Sequence, residues 1–259
     1  MNLTEDEKKA RVKKLRPIDD VFFEALAQNV EVCQEILRVI LEDDKLVVTE
    51  VITQCSEKNI YGRSVRLDAL CILGTGEKCN IEVQRSDNDD HLRRARFNAS
   101  SITVKSSNTK DRFEDITDVC IVYISQFDIF NEDRTIYHID KVIREFGTVV
   151  DDGLREIFVN TAVNDGSTIA ELMACFLVES VNNPKFPKLS KEVKRLKESK
   201  GGLDSMCEIM ERYNQEAVDK AEKARIVKLS KKGYTIVAIA DIYDKTVDEI
   251  KAILNSSED

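Results

Sequence analysis

The chain has 259 residues, 42% apolar and 34% charged, with nine Gly, three Pro, no Trp and a formal net charge of −9. That length suits a domain of roughly 180 residues with an appendage, and the scarcity of Gly and Pro excludes collagen-like and low-complexity architectures. Aromatics at 6% disfavour carbohydrate stacking, and the negative balance argues against coating nucleic acid by bulk charge while leaving room for one local basic face.

The opening MNLTEDEKKARVKKL lacks the apolar stretch of a secretory signal, and no run approaches the roughly 18 apolar residues of a membrane span. Residues 1–16 read as a charged helical lead-in broken by Pro17. Asp19 or Asp20 can cap a helix from about Val21, and Phe22, Leu26, Val30, Cys33, Ile36, Leu37 and Ile40 recur at helical spacing, giving one or two amphipathic helices. Strands are expected over Leu46 to Ile52, Ser64 to Leu73 and Lys78 to Gln84, the last two joined through Gly74-Thr75-Gly76. A helix over His91 to Val104 follows. The continuous apolar run Val119 to Ile124 predicts a strand covered on both faces. Shorter strands at Thr135 to Ile139 and Arg155 to Asn160, then a helix near Thr168 to Val178, complete a mixed α/β domain over residues 1–183.

The segment Asn182-Asn183-Pro184-Lys185-Phe186-Pro187 reads as a boundary. Residues 184–232 form a charged helical extension whose long helix is expected to start at the capping box Ser205-x-x-Glu208. Residues 233–259 read as two short helices around a turn at Tyr243 to Lys245, capped by Thr235 and by Thr246-x-x-Glu249, a helix-turn-helix-like tail. Its second helix carries Asp248, Glu249 and Lys251, a poor charge balance for a major groove, so a packing unit or dimerisation hook stands beside DNA reading.

The seven cysteines, at positions 33, 55, 71, 79, 120, 175 and 207, form no C-x-x-C pair and read as reduced thiols of a cytoplasmic protein. With only His91 and His138, a His-based metal cage or a Ser-His-Asp triad has almost no raw material, so the chemistry falls to carboxylates. Asp68 sits inside an apolar strand, where an unpaired carboxylate is expensive. Glu82 and Gln84 project from one face of the next strand. A three-residue loop at 74–76 puts Asp68 opposite Glu82, with Cβ atoms about 4.5–5.5 Å apart. A two- or four-residue loop would turn the two acids to opposite faces. Carboxylates that close need a shared proton or a cation. A hard divalent ion suits such an oxygen site and can polarise a phosphoryl group and activate water. The plain alternative is a polar, solvent-facing strand with Asp68 bonded locally. Between His91 and Arg112, the cations Arg93, Arg94, Arg96, Lys105, Lys110 and Arg112 face the single acid Asp111. They either grip phosphates or neutralise Asp87, Asp89 and Asp90 just upstream.

Asp68 followed by Glu82-x-Gln84 resembles the PD-(D/E)XK nuclease core in its Gln-bearing variant. RPIDDVFFEAL at 16–26, NIEVQR at 80–85, Arg94-x-x-x-Asn98 and the tail KKGYTIVAIADIYDKTVDEI are similar to the PD-(D/E)XK nuclease family transposases, the bacterial recombination-promoting nuclease group. The resemblance implies a restriction-endonuclease-like α/β core, with a central mixed sheet flanked by helices and a helical C-terminal extension. It also implies cleavage of DNA dependent on Mg2+ (or Mn2+), linked to transposition or recombination. On that basis Asp68 and Glu82 bind metal, with Asp19 a further acid from the opening helix, and Gln84 stands where a catalytic Lys is usual. Arg94 stands closest to the chemistry, with Arg93 and Arg96 on flanking phosphates. The chain departs from the group at Phe23, where a Lys often follows the opening Phe, and at Asn98, where an aromatic is usual. A non-cleaving DNA-binding protein, and a homodimer built on the helices beyond residue 187, remain alternative readings.

Overall fold

The computed structural model describes residues 4–57, 65–88 and 90–255, so Ser64 and Asp89 lie outside the described residues. Helix α1 (Glu5–Lys14) opens on a capping box in which Thr4 N–H donates to Glu7 at 2.8 Å and Glu7 N–H donates to Thr4 Oγ1 at 3.3 Å. The expected amphipathic stretch forms two helices, α2 (Asp20–Ala27) and α3 (Val30–Ile40), parted where Asn29 caps α3 by accepting from Glu31 N–H at 3.0 Å.

Six strands form the main sheet: β1 (Val48–Glu57), β2 (Val65–Leu73), β3 (Lys78–Gln84), β4 (Val119–Ser125), β5 (Ile136–Ile139) and β8 (Leu154–Asn160). Their order is β1-β2-β3-β4-β8-β5. The β1–β2–β3 meander is antiparallel, β3, β4 and β8 run parallel, and β5 closes the edge antiparallel to β8. Strand β1 runs on to Glu57, beyond the expected end at Ile52, because β2 pairs with it as far as Glu57↔Val65. The polar TQCSE sequence gives no hint of that extension; pairing overrides the local pattern. Strand β4 is buried along its whole length, as its apolar run requires.

Helix α4 (His91–Ser106) starts where the Asp90 carboxylate accepts from Arg93 N–H at 3.0 Å. It lays Ala95, Ala99 and Ile102 on one sheet face, against Leu70, Ile121, Tyr123 and Phe158. Helices α2 and α3 contact the meander strands, and α3 also contacts α5 (Thr168–Phe176). Cys71, Cys79 and Cys120 are neighbours across β2, β3 and β4, and Cys33 of α3 reaches Cys71. All four thiols are buried and free, in line with a reduced chain. A separate ribbon, β6 (Lys141–Ile143) with β7 (Thr148–Val150), is solvent-exposed throughout and carries Phe146, 80% exposed, at its turn.

Beyond the Asn183–Pro184 segment, α6 (Pro187–Glu198) packs on α2 and α3. The Glu35 carboxylate of α3 receives the Lys188 and Leu189 N–H groups at 3.0 and 2.8 Å, a cap supplied by another helix. The long helix α7 (Lys200–Lys231) does not begin at Ser205 as expected. Ser199 caps it instead, accepting from Gly202 N–H at 3.0 Å. Gly202 fits because a Cβ there would come within 2.2 Å of the Arg195 carbonyl, so only glycine permits the tight α6–α7 turn.

The chain divides into two compact units, the second taking in the described residues from Glu208 onward. In that unit Ile226 of α7 packs with Ile239 and Ala240 of α8 (Ile236–Ile242) and Ile250 of α9 (Val247–Asn255). Thr235 caps α8 by accepting from Ala238 N–H at 3.2 Å. Thr246 and Glu249 form the expected capping box of α9. Among the described residues no helix is long and apolar enough to cross a membrane.

Candidate active site

The hairpin between β2 and β3 takes the three-residue loop. Gly76, at φ +92°, supplies the left-handed turn residue, and Leu73 N–H donates to the Glu77 carbonyl at 2.9 Å. The register runs from Ile72↔Lys78 to Ala69↔Ile81, so Asp68 and Glu82 come next, facing each other. Here side chains take over from the ladder. The Asp68 carboxylate accepts from Val83 N–H at 3.0 Å, and Asp68 N–H points to Glu82 Oε2 at 3.5 Å.

Asp68 is half-buried and Glu82 fully buried. Burial, and then the facing Glu82 charge, push the Asp68 carboxyl well above the usual carboxylate range. Burial also raises Glu82, against the pull of Arg94. Arg94, on the first turns of α4, is the cation paired with Glu82. Its Nη2 lies 2.5 Å from Glu82 Oε1 and its Nη1 3.0 Å from Gln84 Oε1. The Gln84 amide nitrogen is turned away, donating to the Ser86 carbonyl at 2.8 Å and to Ser86 Oγ at 3.2 Å.

Asp68, Glu82, Gln84 and Arg94 therefore form one cluster, whereas the other candidates are engaged with other partners. Asp19 is bound by Arg16 N–H at 2.6 Å and by the Arg85 guanidinium at 2.8 Å, which ties the start of α2 to the end of β3. Its neighbour Asp20 is the acid that interacts with Asp68 and Arg94. Loss of hydration near the cluster raises the Asp20 carboxyl despite Arg94 and Arg85 nearby, although the residue as a whole is exposed. Arg93 pairs with Asp90 at 3.2 Å on the surface, the neutralising role expected of it as an alternative. Arg96 is exposed and its charge acts on Glu156 of β8. Asp20 and Arg85 are the residues that sequence reasoning left out, although Arg85 directly follows Gln84 and Asp20 directly follows Asp19.

Beside Glu82 stand buried polar side chains, those of Asn80, His91 and Tyr123. His91 shares a hydrogen bond of 2.9 Å with the Tyr123 hydroxyl and one of 3.0 Å with Asp87. Tyr123 is the β4 partner of Glu82. Asn80 also hydrogen-bonds the Glu82 carboxylate.

A family model for the PD-(D/E)XK nuclease family transposases matches residues 19–170, more than half of the chain. The chain belongs to that family. No curated protein and no solved structure matches it significantly. The mixed six-strand sheet with flanking helices is the restriction-endonuclease-like α/β architecture of a PD-(D/E)XK nuclease. In a PD-(D/E)XK nuclease a divalent metal is expected at the acids, and the donors here are of the right chemistry. Two carboxylates and a neighbouring amide oxygen make a hard, all-oxygen set. Among the described residues no third His, Cys, Asp or Glu completes a cluster, so water and substrate oxygen would fill the remaining positions.

Proposed function

We propose that this PD-(D/E)XK family member is a Mg2+- or Mn2+-dependent DNA endonuclease serving transposition or recombination in the cytoplasm. The observation that carries the reading is the opposition of Asp68 and Glu82 at the end of the β2–β3 ladder, with Arg94 paired to Glu82. Asp68 and Glu82 would hold the ion, which supplies charge to the phosphoryl oxygen and acidifies a bound water. Arg94 meets the negative charge that develops on the phosphate. The Gln84 amide oxygen would accept a hydrogen bond from the attacking water and so orient it. Val83 N–H keeps the Asp68 carboxylate aimed across the strands. Plasmid nicking in Mg2+ tests the reading, with equal activity of the wild type and Asp68→Ala or Glu82→Ala counting against it.

One observation favours a second reading, a DNA-binding protein that has lost turnover. Gln84 brings no positive charge, and both ends of its amide are engaged, with Arg94 and with Ser86. That reading predicts retention of DNA at low salt without cleavage in any divalent metal.

A further inference from the structure

Two facing carboxylates need a shared proton or positive charge, and the chain places a cation on one of them. One guanidinium spans Glu82 Oε1 at 2.5 Å and Gln84 Oε1 at 3.0 Å, while Glu82 Oε2 is turned to the Asp68 N–H at 3.5 Å. Glu82 has no exposed surface while the Arg94 side chain keeps 32%, so the pair is a sealed acid under a cation with an open outer side. Such a pair is not a screened surface bridge; a buried carboxylate left alone would be strongly disfavoured.

We propose that Arg94 is an internal counter-cation which a divalent metal must displace, so that metal entry and release of the Arg94 guanidinium are one exchange. The proposal rests on the metal-dependent reading above. A guanidinium and a divalent ion repel each other, strongly so when both sit on one buried carboxylate, Glu82. The backbone has no need to move. Arg94 N–H is anchored in the first turn of α4 by the Asp90 carbonyl at 2.9 Å, so side-chain rotation alone frees the group. Asp20 lies within its electrostatic reach and offers a second carboxylate once Glu82 is taken. Gln84 makes the arrangement workable, because its neutral amide accepts from Arg94 where a lysine would repel it. Coupling of this kind is reciprocal: a phosphate that holds the released Arg94 strengthens metal binding, and metal binding strengthens the grip on phosphate.

The test is a calorimetric titration of MnCl2 alone into wild type, Arg94→Ala, Arg94→Lys and Glu82→Ala, with thermal melts in parallel. Arg94→Ala is expected to bind Mn2+ at least tenfold more tightly than wild type and to gain more in Tm on saturation. Arg94→Lys, which keeps the charge but loses the fork, is expected to fall between them and carries the test if the alanine variant does not fold. Glu82→Ala is expected to bind no Mn2+. Equal affinity of wild type and the Arg94 variants, with binding lost in Glu82→Ala, overturns the exchange and leaves the metal reading standing. Absence of Mn2+ binding in every protein overturns both.

Discussion

Asn98 of α4 donates its side-chain amide to Oδ1 of Asn80 on β3 at 3.3 Å, and both side chains are buried. Nδ2 of Asn80 is shared among the Ala69 and Ile81 carbonyls, at 3.1 and 3.3 Å, and the Glu82 carboxylate, while its Oδ1 accepts from Asn98. The position where an aromatic is usual thus carries an amide that answers a buried amide two residues before Glu82. Asn98→Ala orphans that oxygen and is expected to lower stability by about 1–3 kcal/mol in urea unfolding. A loss below about 0.5 kcal/mol would show that the site relaxes or admits water.

The Asp68 carboxyl has its folded-state pKa above the unfolded value, because of burial and the facing Glu82. The native state therefore holds this proton more tightly than the unfolded chain does. Its contribution to stability is greatest below the ordinary carboxylate pKa of about 4 and is lost as pH rises through the higher folded value. Asp68→Asn removes that penalty while keeping an oxygen for Val83 N–H. It is expected to raise stability near neutral pH by about 1 kcal/mol, or about 2–4 °C in Tm. The gain should vanish near pH 4, and a uniform gain at all pH values would assign it to packing.

Lys197 of α6 is buried, donates to the backbone carbonyls of Lys13, Leu15 and Glu179, and lies 5.0 Å from the Phe22 ring centroid. It satisfies the end of α1 from another helix. Lys197→Met should cost about 2–3 kcal/mol, the scale of hydrogen bonds to a charged donor. Limited proteolysis should then cut within residues 4–16 well before the sheet. Unchanged protection of that segment would show that α1 is held by other contacts.

Duplex DNA binding, if it runs through α4, should weaken steeply with salt. Arg96→Ala is expected to reduce the slope of log K against log salt by about one phosphate contact. Arg93→Ala is expected to change it less, since Arg93 already pairs with Asp90. Fluorescence anisotropy across a salt series distinguishes the two, and identical slopes for wild type and both variants would remove this face from the interface.

The strands of the β2–β3 hairpin were readable because their determinants are local, whereas the loop length that sets the register stayed open until the fold fixed it. Gly76 selects the turn, the turn sets the register, and the register brings Asp68 to Glu82. The bounds of β3 follow from its own alternation. What eluded the sequence depends on distant partners. Ser205-x-x-Glu208 has the form of a cap, yet α7 begins at Lys200, because docking of α6 lets Ser199 and Gly202 set the turn. Asp19 and Asp20 are adjacent and chemically identical. Only the approach of Arg16 and Arg85 decides that Asp19 serves the backbone while Asp20 faces the charged cluster. The β6–β7 ribbon escaped notice for a different reason: its strands have three residues each and neither has a buried face to impose a pattern.

The row of thiols through the sheet gives the molecule a built-in gauge of its own breathing. Hydrogen bonding to Cys71 and to Cys120, together with burial, keeps Cys33 and Cys79 protonated and hence slow to react. An alkylating reagent can reach these sulfurs only when the strands part, so labelling rates read out the opening equilibrium of the layer behind the acids. The same quiescence lets a cysteine-rich sheet persist without crosslinking itself.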